Sequence, residues 1–126
     1  QIYLDDFYPN GAMFPMFTSL ADSPDHARGF FSLTDPINSH SDIEDLVSSG
    51  YIVRTRADSG GEEADNNDTT RLIAALTSGA HSISTDYPAK VEGIDYWVEI
   101  PGGNPSRCNP VSAPPSCTST FTSLVD

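Results

Sequence analysis

Basic residues are scarce in this sequence. One lysine and five arginines stand against 18 acidic side chains, for a formal net charge of -12 over 126 residues. That balance argues against nucleic acid as a partner, because a phosphate backbone repels such a surface. Apolar runs are short. None approaches 18 residues, so no membrane span is expected, and a membrane surface would be met only transiently. Cysteine is limited to Cys108 and Cys117. They have no C-x-x-C spacing and no histidine nearby, which disfavours zinc. A short disulfide-closed loop is the preferred reading, and it implies an oxidising compartment and therefore secretion. G-x-S-x-G, P-loop and H-E-x-x-H motifs are all absent. No Met and no apolar leader stands at Gln1, so a processed or excised product is expected.

The length suits one small domain. Asn67-Asp68-Thr69 is an acceptor sequon for glycosylation at Asn67, in keeping with secretion. Residues 60–68 (GGEEADNND) are acidic enough to attract calcium but lack EF-hand spacing, so a solvated loop is the better reading. His26 sits in a polar loop, His40 precedes a helix cap and His81 opens a strand. No two of them have metal-ligand spacing, and exposed or structural roles are expected for all three.

Periodicity organises the middle of the chain. Residues 2–5, 13–19 and 30–34 read as short strands, the second weakened by Pro15. Ser41 and Glu44 have capping-box spacing, and Ile43, Leu46 and Val47 supply a helical apolar stripe. Gly50 closes that helix. A strand over 51–57 (YIVRTRA) follows at once, then a polar loop over 59–67. Asp68 can cap a second helix with Leu72, Ile73 and Leu76 on its apolar face, ended by Gly79. A strand over 81–85 (HSIST) comes next. The two closing glycines lie 79 − 50 = 29 residues apart, the repeat of a parallel α/β sheet. Residues 96–100 (YWVEI) read as a further strand or edge segment. A Pro/Gly-rich tail follows, so the boundaries expected are 1–100 for the α/β unit and 101–126 for the tail. Too little helix separates the first strands for regular βαβ units, so the chain reads as part of an α/β barrel.

Alternation along 51–58 puts Val53, Thr55 and Ala57 on one face and Ile52, Arg54, Arg56 and Asp58 on the other. The small apolar face suits packing on helices. The charged face would then point inward, with Arg56 and Asp58 near the C-terminal mouth, where barrel chemistry sits. Buried arginines need anions. Asp5, Asp6, Asp35, Asp58 and Asp86 all fall at strand ends and could supply them. Two readings stand with equal weight. One is an internal Arg–Asp network. The other is a phosphate or polyol site in which guanidinium forks grip phosphate oxygens. Asp86 and Tyr87, in STDYP (84–88), would neighbour Arg56, with the Tyr87 ring available for stacking or merely part of a turn. Arg71 reads as a helix-surface residue.

Three blocks in order, GYIVRTRAD, AALTSGAHSISTDYP and IPGGNPSRCNPVSAPPSC, resemble the C-terminal half of the secreted calcium-dependent phosphoinositide phospholipase C family. The likeness is close over about 51–117 and looser in IYLDD and MFTS. It implies an α/β fold, the C-terminal part of a (β/α)8 TIM-type barrel with a disulfide-closed tail. It also implies a hydrolase that cleaves phosphatidylinositol at the phosphodiester through attack by the inositol 2-hydroxyl. The family's acid–base His pair and most of its Ca²⁺ ligands belong to an N-terminal half, and His26, His40 and His81 match none of them. The resemblance therefore implies no catalytic residue and no metal ligand set in this chain. It does imply a substrate-binding rim of Arg54, Arg56, Asp58, Asp86 and Tyr87, and an N-terminal half as partner. The alternatives are a non-catalytic inositol-phosphate or polyol-binding module, or a secreted sugar- or phosphate-binding protein of unrelated fold.

Overall fold

The computed structural model describes residues 29–118. The strands expected over 2–5 and 13–19, and His26, lie outside the described residues, as do Asp5 and Asp6. The elements run β1 (Phe30–Ser32), α1 (His40–Ser48), β2 (Ile52–Arg56), α2 (Glu62–Asn66), α3 (Thr70–Thr77) and β3 (Ser82–Ser84).

The three strands form one open parallel sheet in the order β1-β2-β3, as the repeat of helix, glycine and strand implies. Helices α1 and α3 both pack on β2, on the face that carries Val53, Thr55 and Ala57, all fully buried. The core joins Ile43 and Val47 of α1 to Val53, with Phe31, Leu33, Leu46, Ala80 and Val111 around them. Removing this apolar surface from water is the main drive for docking α1 on the sheet. Among the described residues no helix is long and apolar enough to cross a membrane.

Both helices end where a glycine can take positive φ: Gly50 at +87° after α1 and Gly79 at +80° after α3. Gly50 N–H donates to Val47 O and Tyr51 N–H to Leu46 O, both at 3.0 Å. The chain thereby reverses into β2 with its last carbonyls satisfied.

Four local expectations need correction. Ser41 does not cap α1. It lies inside the helix, whose cap position is Ser39 without a side-chain bond. Asp35 organises this entry instead. Its carboxylate accepts the N–H groups of Ile37 at 3.1 Å and Asn38 at 3.3 Å, and its carbonyl accepts that of Ser39 at 3.0 Å. The turn after Asp35 therefore starts the helix before the capping box can act. The polar loop over 59–67 contains the short helix α2, which Gly61 (φ +91°) opens and Asn67 (φ +48°) closes, both left-handed. On α3 the buried positions are Leu72 and Ala75, while Ile73 is exposed. Residues 96–100 form no strand. Val98 N–H reaches Tyr87 O at 2.9 Å, but Tyr96 is anchored by its side chain rather than by a ladder.

The tail is closed by the Cys108–Cys117 disulfide and packs on the α3–β3 junction. Arg107 donates to Leu76 O, and the Asn109 amide donates to Gly79 O at 2.6 Å.

Candidate functional site

The sheet face opposite α1 and α3 is polar. Register places Ser32, Arg54 and Ser82 side by side, with Arg56 beside Ser84 one step further along. Arg54 sits mid-strand and is half-buried. Its Nη1 donates to Ser32 Oγ at 3.4 Å and its Nη2 to Ser84 Oγ at 3.0 Å. The Ser84 hydroxyl itself donates to Thr55 O at 3.1 Å. Carboxylates or a bound phosphate are the partners expected of Arg54. Among the described residues it has neutral hydroxyls instead.

Arg56 stands at the C-terminal end of β2 and is differently placed. Its Nη2 meets Asp86 Oδ2 at 2.7 Å and Asp58 Oδ1 at 3.5 Å, and its Nε donates to Asp58 O at 3.1 Å. The charge of Asp86 and the hydrogen bond to it are the two largest influences that push the Arg56 guanidinium above its usual range. Asp58 is wholly buried. One carboxylate oxygen accepts the Thr85 hydroxyl, and the other accepts the Asp86 N–H at 3.1 Å. A buried carboxylate held by two donors and a guanidinium is adequately satisfied. Asp86 keeps its side chain mostly in water.

Tyr87 adjoins this cluster in sequence, but its ring is packed elsewhere. It meets Tyr96 edge-on at 5.5 Å and 89°. It also lines a polar cleft of about 260 Å³ with Ala64, Asp65, Asn67 and Asp95. Its N–H donates to Thr85 Oγ1 at 2.9 Å. Tyr96 is buried and donates its hydroxyl to Ala57 O at 3.0 Å. Burial first, and the Asp58 charge second, push its phenol up to about 12. The structure thus gathers Arg56, Asp58 and Asp86 tightly, sets Arg54 beside them on the sheet, and turns the Tyr87 ring toward α2.

A second ionic cluster, centred on Arg71, ties β1 to the helices. Its Nε donates to Glu63 Oε1 at 2.8 Å and its Nη1 to Thr34 O at 3.1 Å, with Asp35 at 3.8 Å. Glu63 also accepts Ser59 N–H at 2.9 Å. Burial pushes the Glu63 carboxyl up, yet the hydrogen bonds from Ser59, its own backbone and Arg71 together hold it below the usual range. Arg71 is therefore a clamp between α3, α2 and the end of β1, not a free helix-surface residue. The only sequence signal for this is the acidic Asp35 at a strand end.

The described histidines bond groups other than the arginines. His40 Nε2 pairs with Thr77 Oγ1 at 3.1 Å, and His81 Nδ1 accepts Val53 N–H at 3.3 Å. Calcium requires six to eight oxygen ligands. Among the described residues no group of three or more His, Cys, Asp or Glu could hold a metal. Asp58 and Asp86 are engaged by Arg56, Glu63 by Arg71, and Asp68 caps Thr70 N–H at 2.8 Å. These residues do not fit a calcium ion by themselves.

Fold and site define an α/β protein with a polar sheet face and a braced Arg–Asp cluster at the C-terminal strand ends. The family model described as "Phosphoinositide phospholipase C, Ca2+-dependent" matches residues 10–110. The chain belongs to this family, and a phospholipase C-like function on phosphoinositide goes with that membership. No curated protein and no solved structure matches the chain.

Proposed function

We propose that this chain supplies the substrate-facing part of a secreted phosphodiesterase that cleaves phosphatidylinositol to diacylglycerol and an inositol phosphate. The observation that carries this reading is Arg56. It stands at the C-terminal end of a parallel strand, on the face away from the helices, and is oriented by Asp58 and Asp86. C-terminal strand ends are where parallel α/β folds place their ligands. The inositol 2-hydroxyl gives its proton to a base and attacks phosphorus, the bond to the diacylglycerol oxygen breaks, and that oxygen takes up a proton, leaving the inositol phosphate as a cyclic diester. Guanidinium donors stabilise the charge that builds on the phosphoryl oxygens. Arg54, Arg56 and Asp86 form the rim in this reading, with Asp58 bracing Arg56 from the buried side and the Tyr87 ring facing the neighbouring cleft beside α2. The acid–base histidines and the Ca²⁺ ligands lie on an N-terminal half, and that half completes a TIM-type barrel. β3 ends the sheet among the described residues, which supports a completing segment there. The sequon at Asn67, which is exposed, would carry the glycan of a secreted protein.

A second reading, a non-catalytic inositol-phosphate-binding module, is favoured by the bonding of His40 and His81 to groups other than Arg56. A phosphatidylinositol cleavage assay with and without Ca²⁺ separates the two, run on the chain alone and with the N-terminal half. Calcium-stimulated release of inositol phosphate supports the enzyme, and Arg56→Ala should lower that release about a hundredfold. Headgroup binding without cleavage in either arm supports the module. Full activity of Arg56→Ala removes Arg56 from the rim.

A further inference from the structure

The disulfide-closed tail encloses a cavity of about 370 Å³ against the end of α3 and the start of β3, within the volume range of small-molecule sites. Leu76, Ile83, Val98 and Ile100 give it apolar walls. Its polar lining is His81, Ser82, Ser106, Arg107 and Asn109, with no carboxylate among them, in a chain whose net charge is -12. Arg107 is half-buried. One of its N–H donors goes to Leu76 O, and among the described residues it makes no ion pair. Its remaining donors, of the five that a guanidinium carries, are left for a ligand. His81 adds another. Its Nδ1 accepts Val53 N–H at 3.3 Å, so the neutral ring holds its proton on Nε2. Asn109 is already engaged: its amide donates to Gly79 O and its oxygen accepts the N–H groups of Val111 and Ser112. The free polar atoms of the lining are therefore mainly donors. A half-buried guanidinium without an anion is costly. The Cys108–Cys117 bridge beside Arg107 fixes this wall in advance, which lowers the ordering cost of binding.

We propose that this cavity binds a medium-chain carboxylate, with its anionic head on Arg107 and its alkyl chain along Leu76, Ile83, Val98 and Ile100. A guanidinium fork matches the two oxygens of a carboxylate. The alkyl chain leaves water on reaching those walls, a gain that a bare anion cannot make. A sugar phosphate has the charge but no apolar body to cover the walls. The site is built from the tail, α3 and β3, so it stands whether or not Arg56 contacts a headgroup.

Titration of the full chain with octanoate, 1-octanol and acetate, followed by its backbone amide NMR shifts, tests this without any turnover. Octanoate should bind with a dissociation constant below about 1 mM, and the shifts should centre on residues 80–83 and 106–109. Octanol should bind about tenfold or more weaker, the scale of one charge-assisted contact. Acetate should also bind about tenfold or more weaker, for want of an alkyl chain to bury. Arg107→Gln should remove the preference for octanoate over octanol and leave octanol binding within about threefold, while Arg107→Lys restores part of the preference. Ser106→Trp, at an exposed lining position, should fill the cavity and weaken both ligands. Circular dichroism of the variants checks that the fold is retained. A preference that survives in folded Arg107→Gln, octanol or acetate binding as tightly as octanoate, or shifts centred elsewhere in the chain overturns the assignment. No binding of octanoate overturns it as well. Loss of octanoate binding on addition of the N-terminal half would give the cavity to that half and overturn it too.

Discussion

The buried carboxylate of Asp58 accepts the backbone N–H of Asp86 at 3.1 Å. That bond joins the end of β2 to the end of β3 beyond the last ladder pair, Arg56↔Ser84. The Thr85 hydroxyl on the other Asp58 oxygen strengthens the tie. Asp86 is thereby set in place to meet Arg56 at 2.7 Å. Sequence spacing, backbone geometry and the orientation of a site guanidinium are linked here through one side chain.

Asp58→Ala removes the acceptor for both donors and leaves Arg56 with the exposed Asp86 as its only carboxylate, beside the main-chain carbonyl of residue 58. A loss of about 1–3 kcal/mol is expected. Asp58→Asn keeps one oxygen acceptor and should cost less. Urea unfolding of both variants measures this. An Asp58→Ala loss below about 0.5 kcal/mol, the range of neutral surface changes, would show that the tie is dispensable. The Arg56–Asp86 pair, exposed as it is, should contribute little stability, so Asp86→Ala should stay within about 1 kcal/mol of wild type.

Arg71→Ala should be more harmful than its helix position suggests. Glu63 is only 11% exposed and Arg71 18%, so truncation leaves a largely buried carboxylate with only its backbone donors. A loss of about 1–3 kcal/mol follows, seen as a lowered denaturant midpoint. Arg71→Lys should recover less than half, because a single ammonium cannot span both Glu63 and the Thr34 carbonyl. For the same reason Arg71→Ala is a poor neutral control for any rim variant.

The alternation in YIVRTRAD made the buried and polar faces of β2 legible, and the twin glycines made its parallel neighbours legible. Both are local signals with a fixed period. The Arg71 clamp was hidden because its partners, Glu63 and Thr34, stand at no regular spacing from it. Ser41 satisfies a capping pattern, but the Asp35 turn starts α1 earlier, a competition between two local motifs that the pattern alone cannot rank. Tyr87 is next to the right residues in sequence. The strand exit nevertheless aims its ring at Tyr96, and that depends on tertiary packing.

Three carboxylates should make the fold acid-sensitive. Glu63, Asp35 and Asp68 are all held below their usual range: Glu63 by hydrogen bonds that overcome its burial, Asp35 chiefly by Asn38 and Asp68 by Thr70. A depressed carboxylate contributes stability that is full above its unfolded value, near 4. That stability is lost as pH falls through the folded value. The denaturant midpoint should be flat from about pH 7 to 5 and fall below about pH 4. Glu63→Gln should narrow its gap to wild type as pH falls through that range. Tyr96 has the opposite sign. Its phenol is raised from 10.0 to about 12, so its contribution is full below pH 10 and lost as pH rises toward 12. Tyr96→Phe should remove that alkaline loss, as followed by the midpoint between about pH 9 and 12.

Gly50 and Gly79 have nearly the same φ, +87° and +80°, but alanine at the two positions should behave differently. A Cβ at Gly50 meets nothing within 4 Å, so Gly50→Ala bears only the left-handed strain, about 1–2 kcal/mol. A Cβ at Gly79 would stand 2.5 Å from Val111 Cγ2 and 2.9 Å from its Cβ. That is inside contact distance, against a residue that also packs on the core. Gly79→Ala must therefore push the tail away, adding the cost of uncovering Val111 and disturbing the Asn109 bond to Gly79 O. It should destabilise by at least about 1 kcal/mol more than Gly50→Ala. Gly79→Ala combined with Val111→Ala, which makes room, should recover part of the difference. Equal losses for Gly50→Ala and Gly79→Ala would mean that the tail is not seated on the α3–β3 junction. Limited proteolysis would then cut residues 107–117 as readily in wild type as in Gly79→Ala.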